Sequence, residues 1–354
     1  MWKRLAAVLC FCLCLCLCAG LLGCSFFSMP SVPDEKTARV FAMDTVAVLT
    51  VYGKEAEAAI ADFERELLRL ERLLSAFDEN SGVHEINSAQ GKAVRSEPEL
   101  LKIIAMSKEI SLMTGGAFDI TIAPIVRAWG FGGENRVPGE GEIAGLLPLI
   151  GHEKVRVDGD EITLEKGAMI DLGAIAKGYA AGVLAQLAAE HDIKGAVISL
   201  GGNVQTFGEK PGGKPWRVAI QDPLDKSAYA AVVEIAAGVS TAVVTSGAYQ
   251  RYFEEGGEVY HHIIDPQTGY PSRSGLLSAT VICSDSAVAD ALSTAFFVLG
   301  AEKSLEAAEN ISESAGWEID FILITDEGKL LYTPGLEGMI SHENKAYSME
   351  MIGG

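Results

Sequence analysis

The sequence predicts an α+β fold, with mixed, largely antiparallel sheets and packed helices in one compact unit. Three observations carry this. Short segments with strand alternation and tight glycine turns recur from one end to the other. Amphipathic stretches with helical spacing lie between them. The two kinds do not alternate regularly, as they would in a doubly wound sheet.

In chain order, residues 1–23 read as a secretion signal. Lys3 and Arg4 form a basic start, Leu5 to Cys18 is an unbroken apolar run, and small and apolar residues close it. The run is too short to serve comfortably as a stop-transfer helix. Leu21-Leu22-Gly23-Cys24 resembles the lipobox of bacterial lipoproteins, where cleavage precedes a cysteine that carries diacylglycerol. Lipidation of Cys24 is therefore expected, with residues 24–35 as an extended, proline-bearing tether (Pro30, Pro33). The plainer alternative is an ordinary cleaved signal with Cys24 merely nearby.

Val40 to Tyr52 alternates as a strand that Gly53 ends. Glu55 to Ser75 spaces Ala59, Ile60, Phe63, Leu67, Leu70 and Leu74 as the apolar stripe of a helix. Glu97 to Met113 is a second helix, stopped by Thr114-Gly115-Gly116. Val155 to Val157 and Ile162 to Leu164 flank Asp158-Gly159 as a hairpin. An alanine-rich helix over 174–191 precedes a buried strand over 195–200. Strands and tight turns dominate 216–260. A strand over 279–283, a helix over 286–299 and a hairpin over 319–332 complete the pattern. No linker interrupts 36–340, which is one folded unit with room for two lobes; 341–354 is set apart as a C-terminal tail.

The formal net charge is −20, and −22 once Lys3 and Arg4 are removed with the signal. So acidic a chain is repelled by nucleic acid and anionic headgroups, so no nucleic-acid partner is expected. Five of the seven cysteines lie in the signal, where they act as small apolar residues. Cys24 and Cys283 remain, and a lipidated Cys24 cannot pair, so no disulfide framework is expected.

Several motifs carry candidate chemistry, each with a plainer alternative. Asp290 and Thr294, at i and i+4, share one helix face and offer two hard oxygens suited to Mg²⁺. Alone, such a pair is more often a dipole-facing acid and a hydroxyl bonded to its own backbone. Asp171-Leu172-Gly173-Ala174 runs from a strand end into a helix start, where amides attract phosphate and carbonyls can ligate a cation; Lys177 is a second anion contact. Leu200-Gly201-Gly202-Asn203 and Thr245-Ser246-Gly247 are glycine turns that allow close backbone approach. His262 stands before an acidic proline-glycine turn as a candidate base, although the adjacent His261 divides that assignment.

Taken in order, Ala42-Met43-Asp44-Thr45, Ser75-Ala76-Phe77-Asp78, Gly116 to Thr121, Asp171 to Gly178, Leu200 to Asn203, Thr245 to Gly247, His262 to Gly269 and Ala289 to Thr294 closely resemble the FAD:protein FMN transferase (ApbE-type) family, from about residue 40 to 335. The resemblance implies FAD bound in a cleft and its FMN half moved onto a threonine hydroxyl of a protein, with release of AMP and dependence on Mg²⁺. It implies flavin and adenosine contacts at Met43, Phe77, Ala117, Phe118 and Asp119, and FAD contacts at Asp171, Lys177 and Ile264. It places metal ligands at the Ala174 carbonyl, Asp290 and Thr294, and the base at His262. Phe77 stands where relatives often carry tyrosine, and Ser293 where some carry a second acidic ligand. The acceptors implied are exported respiratory or electron-transfer proteins, met by an enzyme lipid-anchored at the outer face of the cell membrane or in the periplasm. The same site with water as nucleophile would be an FAD pyrophosphatase; without chemistry it would be a flavin-binding lipoprotein. Ser278-Ala279-Thr280 resembles the end of the family's target motif, although a plain strand position is much the simpler account of Thr280.

Overall fold

Nine strands form the central sheet of the computed structural model, which describes residues 35–131, 133–341 and 344–353. They are β1 (Glu35–Ala42), β2 (Thr45–Gly53), β3 (Ile193–Leu200), β4 (Asn203–Gly208), β5 (Ala242–Gly247), β6 (Leu276–Cys283), β7 (Ile319–Thr325), β8 (Lys329–Tyr332) and β9 (Ser348–Met351). They lie side by side in chain order, every pair antiparallel except β8 with β9. The sheet is thus antiparallel in the main, as the sequence predicts. The expected signal, Cys24 and the tether as far as residue 34 lie outside the described residues.

Alternation along the strands divides the sheet's two faces. Ala242, Val244, Phe321 and Leu323 face the larger core, whereas Val243, Ile322 and Ile324 face the other side. The helices are α1 (Ala56–Leu74), α2 (Gly82–Ser88), α3 (Pro98–Met113), α4 (Ala123–Trp129), α5 (Glu140–Leu146), α6 (Ala176–Ala188), α7 (Ser286–Leu299) and α8 (Ala301–Ala315). Phe63 and Leu67 of α1, Ile103 of α3, Leu184 of α6 and Phe296 of α7 fill the larger core. The opposite face is covered by a small sheet of Trp216–Gln221, Tyr229–Ile235 and Ile340–Ser341. A third apolar cluster gathers Ile125 and Trp129 of α4, Ile143 of α5, Phe131 and Ile264. Among the described residues no helix is long and apolar enough to cross a membrane.

Most expected elements are found within a few residues of their predicted ends; three readings change. Val40 to Tyr52 is not one strand but the end of β1, a two-residue turn and most of β2. Met43 (φ 53°) and Asp44 (φ 57°) both take the left-handed conformation, the type I′ geometry that ordinarily asks for Asn-Gly. A tertiary contact holds it: the Met43 amide donates to Glu71 Oε1 of α1 at 2.7 Å. The helix expected from 174 begins at Ala176, which leaves the Ala174 carbonyl outside it. Residues 348–351, inside the presumed tail, form β9, and the buried Tyr347 hydroxyl donates to Asp222 Oδ1 at 2.6 Å.

Candidate active site

The twelve residues that the resemblance assigns to the site within the described chain all line one cavity of about 590 Å³. Its walls come from the β1–β2 turn, the end of α1, the 117–122 segment, the start of α6, the turn after β3, the end of β5 (where Thr245 and Ser246 are strand rather than the expected turn), the 249–251 loop, the 262–266 segment and α7. The cavity lies where the larger core meets the aromatic cluster around Trp129, since Phe118 and Ile120 belong to one and Phe131 and Ile264 to the other.

Helix α7 is buried almost all round, so its polar residues are held in fixed positions. Asp285 caps it, its Oδ1 accepting from the amides of Ala287 (2.9 Å) and Val288 (3.1 Å). One turn in, Asp290 is 3% exposed. Its Oδ2 accepts the Gly178 amide of α6 at 2.8 Å, and Lys177 Nζ lies 3.9 Å away. Gly178 is within the first turn of α6, where amides have no intrahelical partner, so Asp290 caps a neighbouring helix. The close crossing needs glycine: a Cβ at position 178 would sit 2.1 Å from the Ser286 carbonyl oxygen and 2.6 Å from Asp290 Cβ.

Three oxygens then remain for a ligand. The Ala174 carbonyl accepts no hydrogen bond from the described residues, and neither does Asp290 Oδ1. Thr294 lines the same cavity. A carboxylate, a hydroxyl and a carbonyl form the hard donor set that Mg²⁺ takes, with water and phosphate oxygens completing its octahedron. Among the described residues no three His, Cys, Asp or Glu side chains cluster as a metal site. That fits this donor set, in which only Asp290 is of those types.

His262 and His261 separate cleanly. His261 Nε2 donates to the Ser272 carbonyl at 3.0 Å, and its ring packs edge-on to Phe297, so it belongs to the core. His262 lines the cavity, and its Nδ1 donates to the Arg251 carbonyl at 3.1 Å. A carbonyl oxygen only accepts, so Nδ1 carries the proton and Nε2 keeps the lone pair. Burial is the main force that lowers the His262 pKa to about 4, with the Arg251 guanidinium, His261 and Lys177 adding to it. The ring is therefore neutral at pH 7, the state required of a base. Burial pushes the Asp171 carboxyl up, against the Gly173 amide (2.8 Å) and the charges of Lys177, Arg127 and Arg251.

Not every predicted contact points into the cavity in the same way. The Asp119 carboxylate is used internally: Oδ1 accepts the Thr121 amide (2.8 Å) and hydroxyl (2.6 Å), and Oδ2 accepts the Ser111 hydroxyl (3.0 Å). Phe118 is 2% exposed and mostly core, whereas Phe77 is 57% exposed at the rim. Lys177 Nζ also donates to the Gly173 carbonyl at 2.9 Å. Thr280 is wholly buried in β6, bonded to the Thr245 hydroxyl at 2.9 Å, so this fold does not offer it as an acceptor. Three charged lining residues escape the sequence reading. Glu71 holds the Met43 turn. Arg251 reaches the Asp44 carbonyl at 3.4 Å and orients His262. Lys226 is a further cation of the wall.

The architecture is that of the flavin transferases. The crystal structure of the ApbE protein of Thermotoga maritima superposes with a TM-score of 0.79 at 31% identity, over 86% of this chain and 99% of that one. The apo flavinyl transferase ApbE of Pseudomonas stutzeri gives 0.74 at 29% identity, over 87% and 97%. The ApbE family model matches residues 43–316, so the chain belongs to the ApbE family. A relative named FAD:protein FMN transferase from Klebsiella pneumoniae is 34% identical over 326 residues, 87% of this chain and 90% of the relative. Another of that name, from Escherichia coli K12, is 37% identical over 67% of this chain and 69% of its own length.

Proposed function

We infer that this protein is an FAD:protein FMN transferase: it moves FMN from FAD onto a hydroxyl of an acceptor protein and releases AMP. The observation that carries the reading is the neutral His262, proton fixed on Nδ1, in the cavity that holds Asp290, Thr294 and the free Ala174 carbonyl. In the reaction the acceptor hydroxyl, which the family resemblance makes a threonine, attacks the flavin-side phosphorus. The bond to the AMP phosphate breaks, and the hydroxyl proton passes to His262 Nε2. Bound at Asp290, Thr294 and the Ala174 carbonyl, Mg²⁺ would neutralise charge that develops on the pyrophosphate. Lys177 and Arg251 supply positive charge on the walls, and Asp290 holds the starts of two helices in register. The apolar stretch at Phe118, Ile120 and Ile264 gives a planar ring a dry surface and limits attack by water.

The lipidated Cys24 and the location it implies complete the proposal. Acceptors would be exported or membrane-associated proteins, reached from a short tether. The test incubates the protein with FAD, Mg²⁺ and an acceptor protein that carries a flavinylation threonine. Covalent flavin fluorescence on the acceptor is expected. Free FMN and AMP without adduct would indicate hydrolysis, and intact FAD would indicate binding alone. Asp290→Ala should lower Mg²⁺-dependent turnover by about 100-fold or more, because it removes the only charged ligand of the set. Near-normal turnover would remove Asp290 from the site.

A further inference from the structure

A chain of hydroxyl groups runs from Thr294 into the protein, and its direction is fixed. Ser293 Oγ donates to the Asp290 carbonyl at 2.8 Å, an oxygen that only accepts. Ser293 has one proton, and this bond uses it. At 2.7 Å from Ser293 Oγ, the Ser246 hydroxyl must therefore be the donor of that pair. Ser246 has then spent its own proton, so at 3.2 Å from Thr294 Oγ1 it can only accept. The Thr294 proton points away toward β5, and the Thr294 lone pairs remain for the cavity.

From this geometry we propose that Ser246 and Ser293 are positioning residues that present Thr294 Oγ1 to a divalent cation as a lone-pair donor. The proposal rests on the metal-binding reading of Asp290 and Thr294 given above and adds what orients one of the ligands. It also gives Ser293 a task. This serine is fully buried next to Thr294. It acts through the hydrogen-bond chain rather than by touching the ion. Without the chain, the Thr294 proton is free to turn into the cavity, where a cation would have to displace it. The oxygen would remain, but its useful orientation would be one of several. The neighbouring pair Thr245–Thr280, 2.9 Å apart, is separate: it shares no bond with these three hydroxyls.

The test measures Mn²⁺ binding to the full chain by electron paramagnetic resonance, with Mn²⁺ alone as the probe and no FAD. Ser246→Ala should weaken Mn²⁺ binding by about tenfold, the scale of losing a group that orients a metal ligand. Thr294→Val should weaken it at least as much. In the Thr294→Val background, Ser246→Ala should have no further effect, because the oxygen it orients is gone. Thermal unfolding of the metal-free variants should match wild type within a few degrees, which separates orientation from damage to the fold. Wild-type Mn²⁺ affinity in Ser246→Ala, with affinity lost in Thr294→Val and Asp290→Ala, would overturn the relay and leave the metal site standing. An additive loss in the double variant would also overturn it. Wild-type affinity in both Thr294→Val and Asp290→Ala, or no Mn²⁺ binding by the wild type, would overturn the metal reading and the relay with it.

Discussion

His262 shows how a residue acquires a role from its surroundings. Two histidines stand side by side, and nothing in their order says which one works. His261 ends a strand with its ring against Phe297, whereas His262, just beyond that strand, faces the cavity, where the Arg251 carbonyl selects the tautomer. The folded pKa of about 4 lies below the ordinary imidazole value of 6.5. The unfolded chain therefore takes up this proton first as pH falls. The stability that the neutral ring contributes is complete above about pH 6.5 and is lost as pH falls toward 4. Unfolding temperatures between pH 7 and pH 4.5 should drop more steeply for wild type than for His262→Asn. The same substitution should lower kcat by about 100-fold or more, the scale of a lost general base, with a smaller effect on the KM for FAD. An unchanged kcat would assign the proton transfer to another group.

Among the elements, α7 was legible from the sequence, since Ser286–Leu299 is both the predicted and the observed span. The 155–164 hairpin is equally clear, although its two-residue turn is Gly159-Asp160, one residue beyond the expected Asp158-Gly159, because Asp158 still pairs with Glu161. Helix α8 is hard to read in the sequence because its buried face is Ser304, Ala307, Ala308 and Ile311, mostly small or polar residues that make only a weakly apolar stripe. The Met43–Asp44 turn was hidden for a different reason. No local signal favours it, and it exists because Glu71, on the next helix, accepts the Met43 amide. The α6–α7 crossing yields a prediction at this scale. Gly178→Ala adds a methyl where the Ser286 carbonyl already lies, and should cost about 1–3 kcal/mol by overpacking. It should also move Asp290 away from the Gly178 amide. Urea unfolding would give the first value and Mn²⁺ binding would report the second; wild-type values for both would show that the crossing has slack.

At the scale of the molecule, an acidic chain places Lys177, Lys226 and Arg251 in the walls of a cavity that also carries Asp44, Glu71, Asp119, Asp171 and Asp290, so the three cations are individual contacts for an anion rather than a positive field. The proposed anchor acts on place rather than chemistry. A version lacking residues 1–24 should appear in the soluble fraction and transfer FMN to a soluble acceptor at the wild-type rate within about twofold, because the described lining of the cavity runs from Met43 to Thr294. A large fall in that rate would tie the first residues to the site itself. The sequence by itself determined the α+β class, the mainly antiparallel pairing, the family and twelve of the residues that line the cavity. Those follow from periodicity, turn chemistry and short motifs, which are local. Only the tertiary structure decided which histidine faces the cavity, that Asp119 is occupied internally, and that Glu71 and Arg251 shape the wall. It alone decided that Gly178 lets two helices touch and that the hydroxyls of Ser246, Ser293 and Thr294 point one way. Each of these depends on contacts between segments far apart in the chain, where burial and a single available proton leave one arrangement.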